Sequence, residues 1–334
     1  MATIKIQLTK QLIESLKKSK DIVIMLDSEC VLPTDTQCQD ANFFDCIEQE
    51  REKRKALGKE RTPETYRIAS NVLKRFIGSD QLPLSKLTPE LMAEYQEAMT
   101  AGGNDLNTVS FHMRILRAVY NSAVKQGLTA NQHPFSQVYT GTAQTEKRAV
   151  EASVVKALRL MKFDGKPQLA FARDMFMFSF YTRGMSFIDM AFLRHTDIVD
   201  GQLTYKRRKT GQAIAIRWEP QMQEIVDRYS RPGQPYLLPL IKKVNGKERG
   251  QMRYQQEKQN RMLREIGTLL GLKDNFTMYV ARHSWASIAR QMGVPTDIIS
   301  QGMGHTSEKT TRIYLKSLGN NRLDESNLSI ISAV

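Results

Sequence analysis

Two stretches of this chain open with the same chemistry, Thr62-Pro63-Glu64 and Thr88-Pro89-Glu90. A hydroxyl able to accept from an orphan backbone N–H, a proline whose fixed φ suits a first helical turn, and an acid at the positive end of the helix dipole together specify an α-helix. Thr62 and Thr88 are the expected N-caps. After the first start, Tyr66, Ile68, Val72, Leu73 and Phe76 recur at roughly helical spacing, while Arg67, Lys74 and Arg75 face elsewhere. A third helix is expected from about Asn107 to Lys125 through Phe111, Ile115, Leu116, Val119 and Tyr120. Residues 41–130 therefore read as a small, basic helical domain.

At 334 residues the chain has room for about two domains. From Leu128 to Ala149 the periodic apolar content fades among Asn131, Pro134, Gly141 and several Thr and Gln, so 131–149 is read as a linker. A second domain, 150–334, follows. Helices are expected at about 151–161, 169–182, 252–271, 277–292, 295–301 and 307–317. Between them Gln202–Arg208 and Ala213–Trp218 alternate around the turn Lys209-Thr210-Gly211-Gln212, a β-hairpin with Lys206, Arg207, Arg208 and Lys209 at its tip. The expected fold class is mainly α with a small β-sheet (α+β), in two domains. Residues 1–40 read as two short amphipathic or extended stretches, around Ile4–Leu8 and Ile22–Leu26, ending in a loop at Pro33, Thr34 and Asp35.

Charge narrows the partner. Lys plus Arg exceed Asp plus Glu by 49 − 35 = 14, which favours a polyanion over a neutral metabolite. The longest apolar stretch, Ile22–Leu26, is far too short to span a bilayer, and Met1-Ala2-Thr3-Ile4-Lys5 lacks the apolar core of a signal peptide, so a cytoplasmic protein without a membrane partner is expected. Cys30, Cys38 and Cys46 match neither a zinc spacing nor a paired disulfide set and are expected to be free thiols. The five histidines are scattered and form no HExxH, so no metal site is expected.

Four pieces of the second domain could carry chemistry. In Tyr181-Thr182-Arg183-Gly184-Met185-Ser186-Phe187-Ile188-Asp189, an apolar helix breaks beside an arginine. Such a guanidinium needs an anion, and a salt bridge from Arg183 to Asp189 or another acid is the plainer account of this piece alone. The basic hairpin tip reads either as a solvated turn or as a ribbon along a nucleic-acid backbone with one lysine donating a proton. Arg282 falls three positions before Trp285, on the flank of a helix whose buried stripe is Val280, Trp285, Ile288, Ala289 and Met292. Gly302-Met303-Gly304-His305-Thr306-Ser307 closes one helix and opens the next, which carries Tyr314. Singly, Tyr314 reads as a core aromatic. Together these side chains form a metal-free set for phosphodiester chemistry: guanidiniums on the nonbridging oxygens, a lysine or histidine to protonate the leaving oxygen, and a phenol to attack.

Here the sequence resembles the tyrosine recombinases, or phage integrases. Ala281-Arg282-His283-Ser284 is similar to the family's second-arginine box, Gly302-Met303-Gly304-His305 to its Leu-Gly-His box, and Tyr314 lies at 314 − 305 = 9 beyond the histidine, where its nucleophile belongs. Leu193-Arg194-His195-Thr196-Asp197-Ile198 is similar to the stretch after the first box, and Lys209 to the hairpin lysine. The resemblance implies a core-site-binding domain (41–130) and a catalytic domain (150–334) that clamp duplex DNA, with 1–40 as a shortened arm-site-binding region. It implies attack by Tyr314, a 3′-phosphotyrosyl intermediate, phosphate binding by Arg183 and Arg282, general-acid catalysis by Lys209 and a phosphate hydrogen bond from His305. No ATP, metal, cofactor or small-molecule substrate is implied. A monomer in solution would become a homotetramer on two DNA sites, linked by tails in which Leu328, Ile330 and Ile331 supply an apolar edge. Lys74, Arg75, Lys206, Arg207 and Arg208 are expected on the DNA backbone.

Two positions depart from the family pattern, the first of them in a way similar to integrases of conjugative transposons, where the first box is irregular. Aligned through Asp189 and Leu193, the first arginine falls on Ser186, with Arg183 one turn earlier. Where a histidine commonly precedes the second arginine by three residues stands Tyr279, a phenol suited to donating a hydrogen bond to phosphate rather than accepting a proton. Proton removal from Tyr314 then falls to His305 or water. These departures keep open a DNA-binding accessory or regulatory protein of the same fold without cleavage, and the shared chemistry keeps open a type IB topoisomerase.

Overall fold

The computed structural model describes residues 40–143, 148–273, 275–305, 307–312 and 331. Ile4–Leu8, Ile22–Leu26, Cys30, Cys38, Thr306, Tyr314, Leu328 and Ile330 lie outside the described residues. The chain forms two compact units, Met1–Gln144 and Thr145–Val334. Among the described residues, no helix is long and apolar enough to cross a membrane.

Among the described residues, the first unit packs four α-helices: α1 (Phe43–Ala56), α2 (Arg61–Ile77), α3 (Pro89–Ala101) and α4 (Leu106–Lys125). Their shared core takes Phe43, Ile47, Leu73, Met92, Tyr95, Met113, Leu116 and Tyr120, and Cys46 is buried with them. The two Thr-Pro-Glu starts behave differently. Thr88 caps α3, accepting from the Leu91 N–H at 3.2 Å. Thr62 is not a cap: α2 begins two residues earlier than that cap would set, at Arg61 behind Glu60, and Pro63 occupies its third position. Proline is tolerated there because the first N–H groups of a helix have no intrahelical acceptor to lose. Ile68 and Phe111, placed on the apolar stripes by spacing, are exposed, since Tyr66, Ala69 and Leu73 on α2 and Val109, Met113 and Leu116 on α4 define the buried faces.

Part of the expected linker belongs to this unit. Phe135 and Val138 are buried in its core, the Ser110 hydroxyl donates to the Gly141 carbonyl at 2.6 Å, and the Asn107 side chain pairs with both backbone groups of Ala143. Two apolar anchors in a polar stretch suffice to fold it back, and they lack the periodicity that marks a helix or strand.

In the second unit α5 (Ala152–Leu160) leads to α6 (Pro167–Tyr181), whose Met175, Phe176, Met177 and Phe178 are all buried. A helix apolar on every side is the centre of a core. Against it pack α9 (Glu248–Leu269) and α10 (Met278–Gln291), with the Phe176 and Phe276 rings 4.7 Å apart. Between α6 and α9 come the short α7 (Phe187–Ala191), a three-stranded antiparallel sheet of β1 (Ile198–Val199), β2 (Gln202–Lys206) and β3 (Ala213–Arg217), and α8 (Pro220–Tyr229). Leu203 opposes Ile216 and Tyr205 opposes Ile214, and these four side chains face the core. Neither β1 nor α8 was expected from the sequence; α8 buries only Met222, Ile225 and Val226. α11 (Thr296–Gly302) and α12 (Glu308–Arg312) follow, Ile299 and Met303 joining Ala286 and Ala289 in a small separate cluster against Trp285.

Candidate active site

The break after α6 is a left-handed turn. Arg183 has φ 59° and Gly184 φ 71°, and the Gly184 and Met185 N–H groups both close onto the Ser179 carbonyl. A non-glycine residue held at positive φ stores roughly 1–2 kcal/mol of strain. The turn is tight because α10 presses on it: a Cβ on Gly184 would lie 2.6 Å from Cα of Arg282. Arg282 is held there 4% exposed. Its Nη1 donates to the Gly184 carbonyl at 2.7 Å, and its Nη2 donates to the Met303 carbonyl at 2.7 Å and to Nε2 of His305 at 2.8 Å.

His305 follows the close of α11. Gly304, at φ 63°, returns its N–H to the Gln301 carbonyl, and the His305 N–H reaches the Ser300 carbonyl. The ring is fixed at both nitrogens, since Nδ1 lies 2.8 Å from the buried Thr311 hydroxyl. Burial, and then the positive charges of Arg282, Arg207 and Lys209, push its pKa down to about 4. It is a neutral imidazole near pH 7.

The hairpin tip divides. Pairing ends at Lys206, and the turn is closed by Arg207 N–H to the Gln212 carbonyl and Gly211 N–H to the Arg207 carbonyl. Lys206, Arg208 and Lys209 are exposed. Arg208 lies 3.7 Å over the Phe192 ring. Arg207, expected beside Lys206 and Arg208 along the DNA backbone, turns inward instead: it is 7% exposed, with Nη1 donating to the Gly304 carbonyl at 2.6 Å and Nε 4.0 Å from the Asp189 carboxylate. The strand alternation contained this signal, because Leu203, Tyr205 and Arg207 share one parity and the first two carry the core.

Asp189 is therefore partnered by Arg207 and not by Arg183. Its Oδ1 accepts from the Arg208 N–H at 2.9 Å and its Oδ2 from the Ser186 hydroxyl at 2.6 Å. Ser186 is the N-cap of α7. Arg183 is half-buried, its Nη1 3.4 Å from the Ala215 carbonyl, and its Cδ lies near Gly302. Tyr205 marks the common ground: burial, then Asp189, pushes its phenol up, while Arg207, Arg282 and Arg183 act in the opposite sense.

Tyr279 is 52% exposed one turn before Arg282, with its ring edge-on to His283 at 4.7 Å. In the first unit Lys74 is half-buried, its ammonium 5.0 Å from the Phe44 ring centre, and Arg75 is exposed. Among the described residues, no group of three or more His, Cys, Asp or Glu is arranged to hold a metal ion.

The chain thus brings Arg183, Arg207, Lys209, Arg282 and His305 together from the α6–α7 turn, the hairpin, α10 and the α11–α12 turn. Similar folds occur in solved structures. One is lambda integrase as a tetramer bound to a Holliday junction (15% identity, 83% of this chain and 78% of that one, TM-score 0.59). A second is a fragment of the Tn1549 transposon integrase in complex with a circular intermediate DNA (14%, 86% and 99%, TM-score 0.57). A third is the XerH site-specific recombinase bound to its difH substrate (18%, 88% and 90%, TM-score 0.56). No significantly similar sequence is found among curated proteins. The phage integrase SAM-like domain matches residues 42–138 and the phage integrase family matches residues 156–320. With both units matched in order, the chain belongs to the phage integrase family, the tyrosine recombinases.

Proposed function

We propose that this protein is a site-specific recombinase that cuts and rejoins duplex DNA for integration, excision or inversion of a segment, without metal, ATP or other cofactor. The observation that carries the reading is the convergence of Arg282 and Arg207 on the turn that holds neutral His305, whose proton affinity the charge of Lys209 also lowers. The Tyr314 oxygen attacks the scissile phosphorus as its proton passes to His305 or water. The P–O5′ bond breaks, and the 5′ oxygen takes a proton from Lys209, leaving a 3′-phosphotyrosyl link and a 5′-hydroxyl. The ester energy is conserved in that link, so the reverse attack by a partner strand's 5′-hydroxyl reseals DNA without ATP. Arg282 and a second arginine of the cluster, Arg183 or Arg207, bind the nonbridging oxygens, and Tyr279 donates a further hydrogen bond.

The helical unit grips core-site DNA through Lys74 and Arg75, and Lys206 and Arg208 reach the backbone from the hairpin. The protein acts in the cytoplasm, as a monomer that assembles into a tetramer on two DNA sites, the state in which the similar lambda integrase is bound to a Holliday junction. The test is a duplex carrying the sequence this protein selects from random DNA, nicked beside the cleavage point so that the released fragment diffuses away. The wild type accumulates a covalent adduct and Tyr314→Phe does not. Tight binding with no adduct from the wild type would replace this reading with that of a DNA-binding accessory protein.

A further inference from the structure

We propose that Arg207 is the guanidinium that stands beside Arg282 on the scissile phosphate, in the place where the family pattern puts an arginine and this chain has Ser186. The inference rests on the recombinase reading and assigns one of its parts.

Three positions compete for that place. Ser186 is committed elsewhere, with its hydroxyl capping α7 and donating to Asp189 at 2.6 Å. Arg183 leaves the same turn but runs to the outer strand, at 3.4 Å from the Ala215 carbonyl, and to the flank of Gly302. Arg207 comes from the other side of the cluster and reaches the His305 turn itself.

The two buried arginines hold adjacent carbonyls of that turn, Arg282 that of Met303 at 2.7 Å and Arg207 that of Gly304 at 2.6 Å. Both guanidiniums are therefore fixed against consecutive peptides, the two that lead into His305. The approach is close enough to demand glycine, since a Cβ on Gly304 would lie 2.9 Å from Cδ of Arg207 and 2.5 Å from Cδ1 of Ile214. Of the five N–H donors of Arg207, the turn occupies one, and Asp189 at 4.0 Å orients the group by charge without a hydrogen bond. Asp189 in turn is held by Ser186 and the Arg208 N–H. The serine in the arginine's place thus braces the carboxylate that aims an arginine arriving from the hairpin. The cations that depress His305 are Arg282, Arg207 and Lys209, which is the same set. Lys209 lies two residues beyond Arg207 on the same turn, so phosphate binding by Arg207 fixes the proton donor relative to the leaving oxygen.

The experiment compares adduct formation on the nicked duplex with its scissile phosphate intact or replaced by a neutral methylphosphonate, which needs one guanidinium fewer. Arg207→Ala should lose about 100-fold or more on the phosphate and recover to within about tenfold of wild type on the methylphosphonate. Arg207→Lys keeps the buried charge and reports if the alanine variant melts at room temperature; it should show a smaller loss and the same recovery. Arg183→Ala should show equal rates relative to wild type on both substrates. An equal loss for both Arg207 variants on both substrates would make Arg207 a structural tie, and recovery by Arg183→Ala would return the role to Arg183. Each result overturns the proposal while leaving wild-type cleavage, and with it the recombinase reading, in place. Absence of any wild-type adduct would remove that reading first.

Discussion

Arg282 donates from Nη2 to Nε2 of His305 at 2.8 Å. A guanidinium has no acceptor, so Nε2 must present a lone pair, the ring is neutral, and its single proton sits on Nδ1, donated to the Thr311 hydroxyl 2.8 Å away. The pair fixes one tautomer before any substrate arrives.

A titration follows from that geometry. Burial and then Arg282, Arg207 and Lys209 lower the His305 pKa to about 4, against 6.5 for the unperturbed group. The folded state thus binds this proton less readily than the unfolded chain. Stability from His305 is fully present above about pH 6.5 and is lost as pH falls from there toward 4. Ring NMR signals assigned with His305→Asn should show no transition between pH 8 and 5.5; a midpoint near 6.5 in the DNA-free protein would contradict the assigned tautomer.

Gly184→Ala should be far more damaging than Gly165→Ala. Both glycines have φ 71°, but the added carbon meets Cα of Arg282 at 2.6 Å in the first case and nothing within 4 Å in the second. The shared conformational cost is about 1–2 kcal/mol, and collision with backbone adds about 1–3 kcal/mol at Gly184 alone. Urea melts of the two variants measure the difference directly, and equal losses would mean the α10 contact is not as close as described.

Ser186→Ala should cost about 1 kcal/mol, the usual value of an N-cap. Because it frees Asp189 from the bond that orients it toward Arg207, adduct formation should fall by a larger factor than stability explains. Unchanged cleavage with the expected loss in melting would separate the cap from the chemistry.

Asp174 tests the scaffold behind the site. This buried carboxylate gathers Arg173, Arg228 and the Tyr229 hydroxyl, tying α6 to α8. Asp174→Ala leaves the Tyr229 hydroxyl and the mostly buried Arg173 without their acceptor, while half-exposed Arg228 turns to water, and should cost about 2–3 kcal/mol. A loss below about 1 kcal/mol in denaturant melts would show that the cluster is already hydrated.

DNA affinity should fall linearly in log–log plots against salt. Lys74→Ala should lower the slope by about 1 and weaken all sequences alike, whereas Arg282→Ala should chiefly abolish cleavage. An affinity indifferent to salt would deny the phosphate contacts.

What the chain determined by itself was everything encoded in nearest-neighbour chemistry. The Thr88 cap, the helical stripes of the first unit, the hairpin around Gly211 and the spacing of Arg282, His305 and Tyr314 are properties of short windows, and they carried the fold class and the family resemblance. Short elements with few apolar residues, β1 and α8, and the anchoring of Phe135 and Val138 were not legible, because packing against distant partners and not local propensity stabilises them. Tertiary structure alone decided which arginine meets which carboxylate. Ser186, Asp189, Arg207 and Gly304 are separated by up to 304 − 186 = 118 residues, and a charge finds its partner through the folded backbone, since Coulomb attraction depends on distance in space and sequence records none of it.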